Sequence, residues 1–335
     1  MQNPKHPSVA FDVVCDDVLT FQADVFALKF AQALYGADRI VADRLFDNSG
    51  VADPMVLFPK LHGFKLLSTQ GKIAANDVLF VGVEPLREFE YKQIREFGRK
   101  VLVSLAGAAP KTKTLGVTIH GPGYGLDESE AFEAEIAGFL DALTSGDFPK
   151  DLEQITIVER NNARSRRLKN LLDELIPNRR VPIDGHAQTG DFGEAAAERL
   201  RAVGYASESK PNIFVAMPFA DDMDDVFHYG IQGAVNSAGF LCERADLSSF
   251  TGDVMEWVKK RIATASLIIA DLSTANPNVY LEVGYAWGCR KPTVLLVRDT
   301  NDLRFDVRTQ RCLVYKKIKD LESLLRTELA NLPRA

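Results

Sequence analysis

Along residues 8–176 the apolar positions follow two different periods. Short apolar or alternating runs read as strands: SVAFDVVCD (8–16), ADVFALKF (23–30), FKLLSTQ (64–70), DVLFVGV (77–83), TLGVTIH (114–120) and QITIVER (154–160). Patterns of helical period predict helices over 88–107, 128–145 and 161–176. Two strands come first, before any helix joins them, which predicts a mixed sheet rather than an unbroken βαβ run. Residues 177–211 are poor in bulky apolar side chains and rich in Gly, Pro and small residues, so they read as a linker with one short helix near 193–203. From 212 the rhythm becomes regular, with strands at NIFVAMPF, FLCER, SLIIADLS, PTVLLV and 312–315. Helices are predicted over 222–238, 252–265, 277–289 and 317–330. Strands separated by helices of this length imply right-handed crossovers and a parallel sheet covered on both faces. The expected fold is α/β throughout: a mixed-sheet domain over 1–176, a linker over 177–211, and a flavodoxin-like, doubly wound parallel-sheet domain over 212–335.

In such a sheet ligands bind outside the carboxyl ends of the strands, at the switch in strand order, here between its first and third strands. The unusual polar residues fall there: Met217, Pro218 and Phe219 after the first strand, Arg244 and Asp246 after the second, and DLSTANPN (271–278) after the third. Asn276 followed by Pro277 is a helix start, with Asn as N-cap and Pro at the first helical position. From Val279 the helical spacing puts Val283 and Ala286 on one apolar face with Glu282 beside it. From Pro277 to Cys289, Glu282 is the one charged residue. Desolvation at that place raises a carboxyl pKa and the nearby helix N-terminus opposes the rise. A fixed, half-dry carboxylate can stabilise an oxocarbenium ion or attack an anomeric carbon; the alternative is a structural Glu bonded to loop amides.

The chain has 335 residues, 46% hydrophobic and 26% charged, with a net charge of −6. The length suggests two domains with sizeable cores. The charge argues mildly against a general nucleic-acid or anionic-membrane partner. No stretch is long and apolar enough to span a bilayer, and MQNPKHPSVAFD lacks the basic and apolar regions of a signal peptide. The expectation is a cytoplasmic protein whose four cysteines, lacking metal spacing, are reduced thiols. No metal site or cofactor is expected.

Residues 212–316 resemble the nucleoside 2-deoxyribosyltransferase-like family, relatives of TIR domains among nucleotide-cleaving proteins. The resemblance is carried by FVAMPF (214–219), AGFLCERAD (238–246), IIADLSTANPNVYLEVGYAWGCRKPTVLL (268–296) and FDVRTQRCLVY (305–315), most specifically by the NPNVYLEVGYA core. It implies that Glu282 is catalytic at C1′ of an N-glycosidic bond. Met217, Pro218, Phe219, Asp271, Ser273, Asn276 and Asn278 would then line the sugar and base pocket, with Asp271 on sugar hydroxyls. Arg244 and Asp246 are candidates for substrate contact, with a mutual ion pair as the alternative. Tyr280, Phe219 and Trp287 are candidates for stacking on a base, or for core. No second-base site is identifiable, so hydrolysis, with NAD as a possible substrate, stands beside deoxyribosyl transfer; a catalytically silent nucleotide-binding module is the third reading.

The amino-terminal part is similar to macro-like domains, including that of leucyl aminopeptidases, through AFDVVCDDVLTFQADVFALKF (10–30) and TLGVTIHGPGYGLDESEAFEAEIAGFLDAL (114–143). The similarity implies adenine binding at Asp17 and a diphosphate loop at Gly121, Gly123 and Gly125, where backbone amides cradle phosphate. ALKFAQ stands where an Asn-rich segment is expected, which leaves ligand sensing or scaffolding rather than ADP-ribosyl hydrolysis. The pairing suits a homo-oligomeric defence effector with an ADP-ribose-like regulatory ligand.

Overall fold

The computed structural model describes residues 7–46, 57–183, 194–244 and 254–331. The chain divides into two compact units: residues 1–121 with 128–208, and residues 122–127 with 209–335.

The first unit is built on a seven-stranded mixed sheet in the order β3-β4-β2-β5-β6-β1-β7. Five central strands run parallel: β4 (Asp77–Gly82), β2 (Val25–Phe30), β5 (Thr114–Val117), β6 (Gln154–Val158) and β1 (Ser8–Val14). The two edge strands, β3 (Phe64–Ser68) and β7 (Arg180–Pro182), pair antiparallel with β4 and β1. β1 and β2, consecutive in the chain, are therefore not neighbours. Every residue of β2 is buried, as expected for a parallel strand with both faces covered. α2 (Tyr91–Ala108) opens on a capping box between Glu90 and Gln93. It packs on α3 (Glu128–Ser145) so closely that a Cβ on Gly138 would lie 2.0 Å from the Arg95 carbonyl oxygen.

Two sequence expectations change here. α1 (Gly36–Phe46) has no counterpart among the predicted helices; its pattern is weakly amphipathic and carries a buried acid, Asp38. The segment expected as a linker with one short helix near 193–203 contributes that helix, α5 (Glu194–Ala202), and also β7 to the first unit. Arg95 supplies the reason. Its guanidinium pairs with Asp141 at 2.7 and 2.8 Å and donates to the carbonyls of Leu200, Arg201 and Val203. A buried cation thus closes the carbonyl end of α5, a long-range contact that composition does not reveal.

The second unit is a five-stranded parallel sheet in the order β12-β11-β10-β8-β9, the doubly wound arrangement expected. Its strands are β8 (Asn212–Ala216), β9 (Leu241–Glu243), β10 (Leu267–Asp271), β11 (Thr293–Val297) and β12 (Cys312–Val314). Alternate side chains serve two cores. Ile213, Val215, Ile269 and Leu296 meet α7 (Gly233–Ser237) and α10 (Ile318–Ala330). Phe214, Ala216, Ile268 and Leu295 meet α8 (Val254–Thr264) and α9 (Pro277–Gly288). The helix expected over 222–238 is α6 (Asp221–Asp225), a π-helix (Val226–Gln232) and then α7.

Candidate functional site

Strand parity decides which sequence candidates share a face. Met217 continues the Ile213–Val215 series and lies in the core under α7 and α10. Pro218 is buried behind it, and Phe219 is exposed. Arg244 leaves β9 on the same side. Its guanidinium carbon stands 4.1 Å from the ring centroid of Phe227 and 4.9 Å from that of Phe219. It also donates to Asp224 at 3.0 Å and lies 3.8 Å from Met217 Sδ. Met217, Phe219 and Arg244 thus form one cluster at the carboxyl ends of β8 and β9. Arg244 pairs with Asp224, a partner the sequence reading did not consider; Asp246 lies outside the described residues. The π-helix, a form common at functional sites, supplies Phe227 to this cluster.

Asp271 ends β10, wholly out of water. Its Oδ2 accepts a 2.6 Å hydrogen bond from the Tyr315 hydroxyl, and its Oδ1 accepts from the Ser273 amide at 2.9 Å. Both oxygens are engaged inside the protein, so the expected contact with sugar hydroxyls is not available to it here. Ser273 accepts from the Arg298 amide at 2.9 Å. Burial and the neighbouring Asp271 push the Tyr315 phenol up to about 12.

Beyond this loop Asn276 caps α9, its side chain accepting from the Asn278 amide at 2.9 Å, with Pro277 in the first turn. Asn278 is exposed. Tyr280 is half-buried against the α8–α9 core, and its hydroxyl accepts from the Arg304 amide at 3.1 Å, so this side chain secures a turn. Trp287 is exposed on α9.

Val279, Val283 and Ala286 form the buried stripe of α9, and Glu282 sits beside it, partly buried. Among the described residues Glu282 has no hydrogen-bonding or ion-pairing partner, and desolvation alone raises its pKa to about 7. The alternative of a Glu held by loop amides finds no support among the described residues. A carboxyl group near 7 is present in both protonation states at neutral pH, the condition for general acid or base work. No described contact joins Glu282 to the Arg244 cluster, which approaches the strand ends from the opposite side of the sheet.

The amino-terminal candidates separate. Asp17 is exposed at the turn after β1, its Oδ1 accepting from the Leu19 amide at 2.9 Å. Leu19 lines a cavity of about 620 Å³ together with Leu34, Ile40, Phe46 and Phe58. Gly121 belongs to the first unit and Gly123 and Gly125 to the second. Gly125 has a packing reason to be glycine. Its φ is +96°, and a Cβ there would lie 2.2 Å from Cη2 of Trp257. Nearby, Asp127 accepts from the Cys242 amide at 2.8 Å.

Arg298, Tyr315 and Asp224 were not among the predicted site residues. Arg298 was recoverable, because it is the first polar residue after PTVLLV, just as Arg244 follows FLCE. Asp224 is one of four acids in DDMDD (221–225), which gives no sign of which one meets Arg244. Among the described residues no group of three or more His, Cys, Asp or Glu is placed to hold a metal ion. No described helix is long and apolar enough to cross a membrane.

No protein-family model matches the chain, and no curated protein matches it. Among solved structures it is similar to the Clostridium botulinum CMP N-glycosidase BcmB, at 16% identity and a TM-score of 0.29, over 34% of this chain and 98% of that one. It is also similar to the Oceanobacillus iheyensis macrodomain with MES bound, at 11% identity and a TM-score of 0.37, over 51% and 98% of the two chains. A mutant of that macrodomain with ADPR matches at 12% identity and a TM-score of 0.36, over 51% and 100%. Scores this low carry no argument about activity, which has to come from the residues themselves.

Proposed function

We propose that the second unit is an N-glycosidase acting at C1′ of a nucleoside or nucleotide, with Glu282 as its catalytic carboxylate. The observation that carries the reading is Glu282 itself: partly buried, without a partner among the described residues, and raised to about 7 by desolvation alone, in the second turn of a capped helix. Such a carboxyl group is costly unless it is used. The resemblance of NPNVYLEVGYA to the deoxyribosyltransferase-like family supports the same role.

In the reaction the C1′–N bond breaks with its electron pair going to the base, which takes up a proton. The sugar passes through an oxocarbenium-like centre, and ionised Glu282 offsets that charge or bonds C1′ transiently. Water then adds its oxygen to C1′ and gives up a proton. With no acceptor-base site identifiable, water is the acceptor we favour, and NAD is one candidate substrate.

The test is incubation of the full chain with NAD and a panel of nucleosides and nucleotides, with and without an added base. Free base or nicotinamide without acceptor supports hydrolysis; strict acceptor dependence supports transfer. Glu282→Gln keeps the shape and should lower turnover by at least ~100-fold, the scale of a lost catalytic group. Turnover retained in a folded variant would remove Glu282 from the mechanism.

For the first unit, the cavity beside the Asp17 turn supports binding of a nucleotide-derived ligand. Calorimetric titration of ADP-ribose into the full chain and into Asp17→Ala tests it; equal heats in both would reject a role for Asp17.

A further inference from the structure

The carboxyl ends of β10, β11 and β12 are joined by a closed ring of hydrogen bonds. Arg298 Nε donates to the Tyr315 hydroxyl at 3.3 Å. Tyr315 donates to Asp271 Oδ2 at 2.6 Å, Asp271 Oδ1 accepts from the Ser273 amide, and Ser273 Oγ accepts from the Arg298 amide. The ring returns to the residue it started from. Outside it, the Arg298 guanidinium reaches Asp222 at 3.3 Å and Met223 Sδ at 3.4 Å, so α6 is tied in as well.

One stretch of chain leads from this ring to Glu282. Ala275 donates from its amide to the Leu272 carbonyl at 3.0 Å and holds φ at +48°, a conformation a non-glycine residue rarely adopts without local support. The next residue is the α9 cap, Asn276, and six residues beyond it stands Glu282. Short-range hydrogen bonds and a few backbone residues thus separate Asp271 from the start of α9. Asp271 is wholly buried, and a buried carboxylate that loses a donor moves or draws in water.

We infer that Tyr315 is a positioning residue of the candidate site: through Asp271 it fixes the loop that launches α9 and thereby sets where Glu282 stands. The functional half of this inference rests on the N-glycosidase reading. Tyr315 touches no reacting atom. It acts by holding the loop in one arrangement, and preorganisation of this kind changes rate more than affinity.

The test is Tyr315→Phe in the full chain, which keeps the ring in the core and removes the one hydroxyl. Amide hydrogen exchange is read first. Protection at Ser273, Ala275 and Asn278 is expected to fall at least ~10-fold, while β8 keeps its own. Kinetics are read next, below the variant's melting transition: kcat is expected to fall at least ~10-fold with KM within about twofold. A residue that only stabilised the fold would lower the melting temperature and leave kcat per folded molecule unchanged. Unchanged exchange in the loop overturns the clamp. Lost protection with unchanged kcat overturns the positioning role. If wild type releases no base from any substrate, the glycosidase reading fails, while the exchange measurement still decides whether Tyr315 fixes the loop.

Discussion

Glu135 of α3 holds its carboxyl oxygens 3.3 and 3.4 Å from Nδ1 of His120, with both side chains almost entirely out of water. Burial drives the histidine well below its ordinary 6.5, helped by the charge of Lys29, and drives Glu135 well above 4.5. Phe97 packs on the imidazole, and among the described residues His120 Nε2 has no hydrogen-bond partner. Burial thus favours the neutral form of the native pair, with one proton between the two side chains.

The pH dependence follows from counting protons. Between about 4.5 and 6.5 the unfolded pair also carries one, on histidine, so the pair adds no slope there. Above 6.5 the unfolded pair loses its proton and the native one keeps it, so stability falls as pH rises, by up to ~1.4 kcal/mol per unit. Below 4.5 the unfolded pair takes up a second proton, and stability falls again. Glu135→Gln removes the alkaline slope and leaves the histidine to destabilise the fold below 6.5. Denaturant titrations of both proteins at pH 5.5 and 8 measure the difference; a wild type that gains stability with pH alongside the variant would show Glu135 ionised in the native state.

Lys29 and Asp38 form a second buried pair at 2.5 Å, closing β2 against α1. Lys29→Met leaves a buried carboxylate alone and should cost ~3–5 kcal/mol. Adding Asp38→Leu should recover most of that loss, because an apolar replacement of both charges is often neutral or better. A double-mutant cycle by denaturant unfolding checks the recovery; additive losses would mean the pair is not coupled.

Gly125→Ala places a methyl group against the Trp257 ring at a positive φ. Overpacking and backbone strain together should cost ~2–4 kcal/mol, with a change in tryptophan emission. A thermal melt followed by fluorescence measures both. No change in either would mean the ring is free to move aside.

Asn276→Ala removes the one side chain that caps α9. The expected loss is ~1 kcal/mol. Asn276→Asp should restore it, because a carboxylate caps as well and suits a helix N-terminus. Chemical denaturation of the three proteins decides; an Asp variant no better than Ala would show that the amide does something besides capping.

The second unit was legible because each of its signals is local. Val279, Val283 and Ala286 define a face within one helix, Asn276–Pro277 marks its start, and the strand–helix alternation dictates parallel pairing. Glu282 stood out as a lone charge for the same reason. What stayed hidden depends on partners far apart in sequence. Asp271 was read as a sugar contact because nothing near it reveals that Tyr315, 44 residues on, occupies one of its oxygens. Arg95 gave no sign that it would gather the carbonyls ending α5, 105 to 108 residues away, so a structured segment was read as a linker. The glycines at 121–125 fit a phosphate loop and a packing device equally well in sequence, and the closeness of Trp257 to Gly125 is visible only in the fold.

The grouping of Pro122–Asp127 with Ser209–Ala335 gives the second unit a particular order of assembly during synthesis. These six residues leave the ribosome well before the strand of Cys242, whose amide, 115 residues on, donates to Asp127. The first unit's chain can be complete while this short piece still waits for its partners. Secondary contacts made in that interval compete with the native ones. A gene fragment beginning at residue 209 encodes all five strands of the second sheet but lacks Asp127, the carboxylate that accepts from the Cys242 amide of β9.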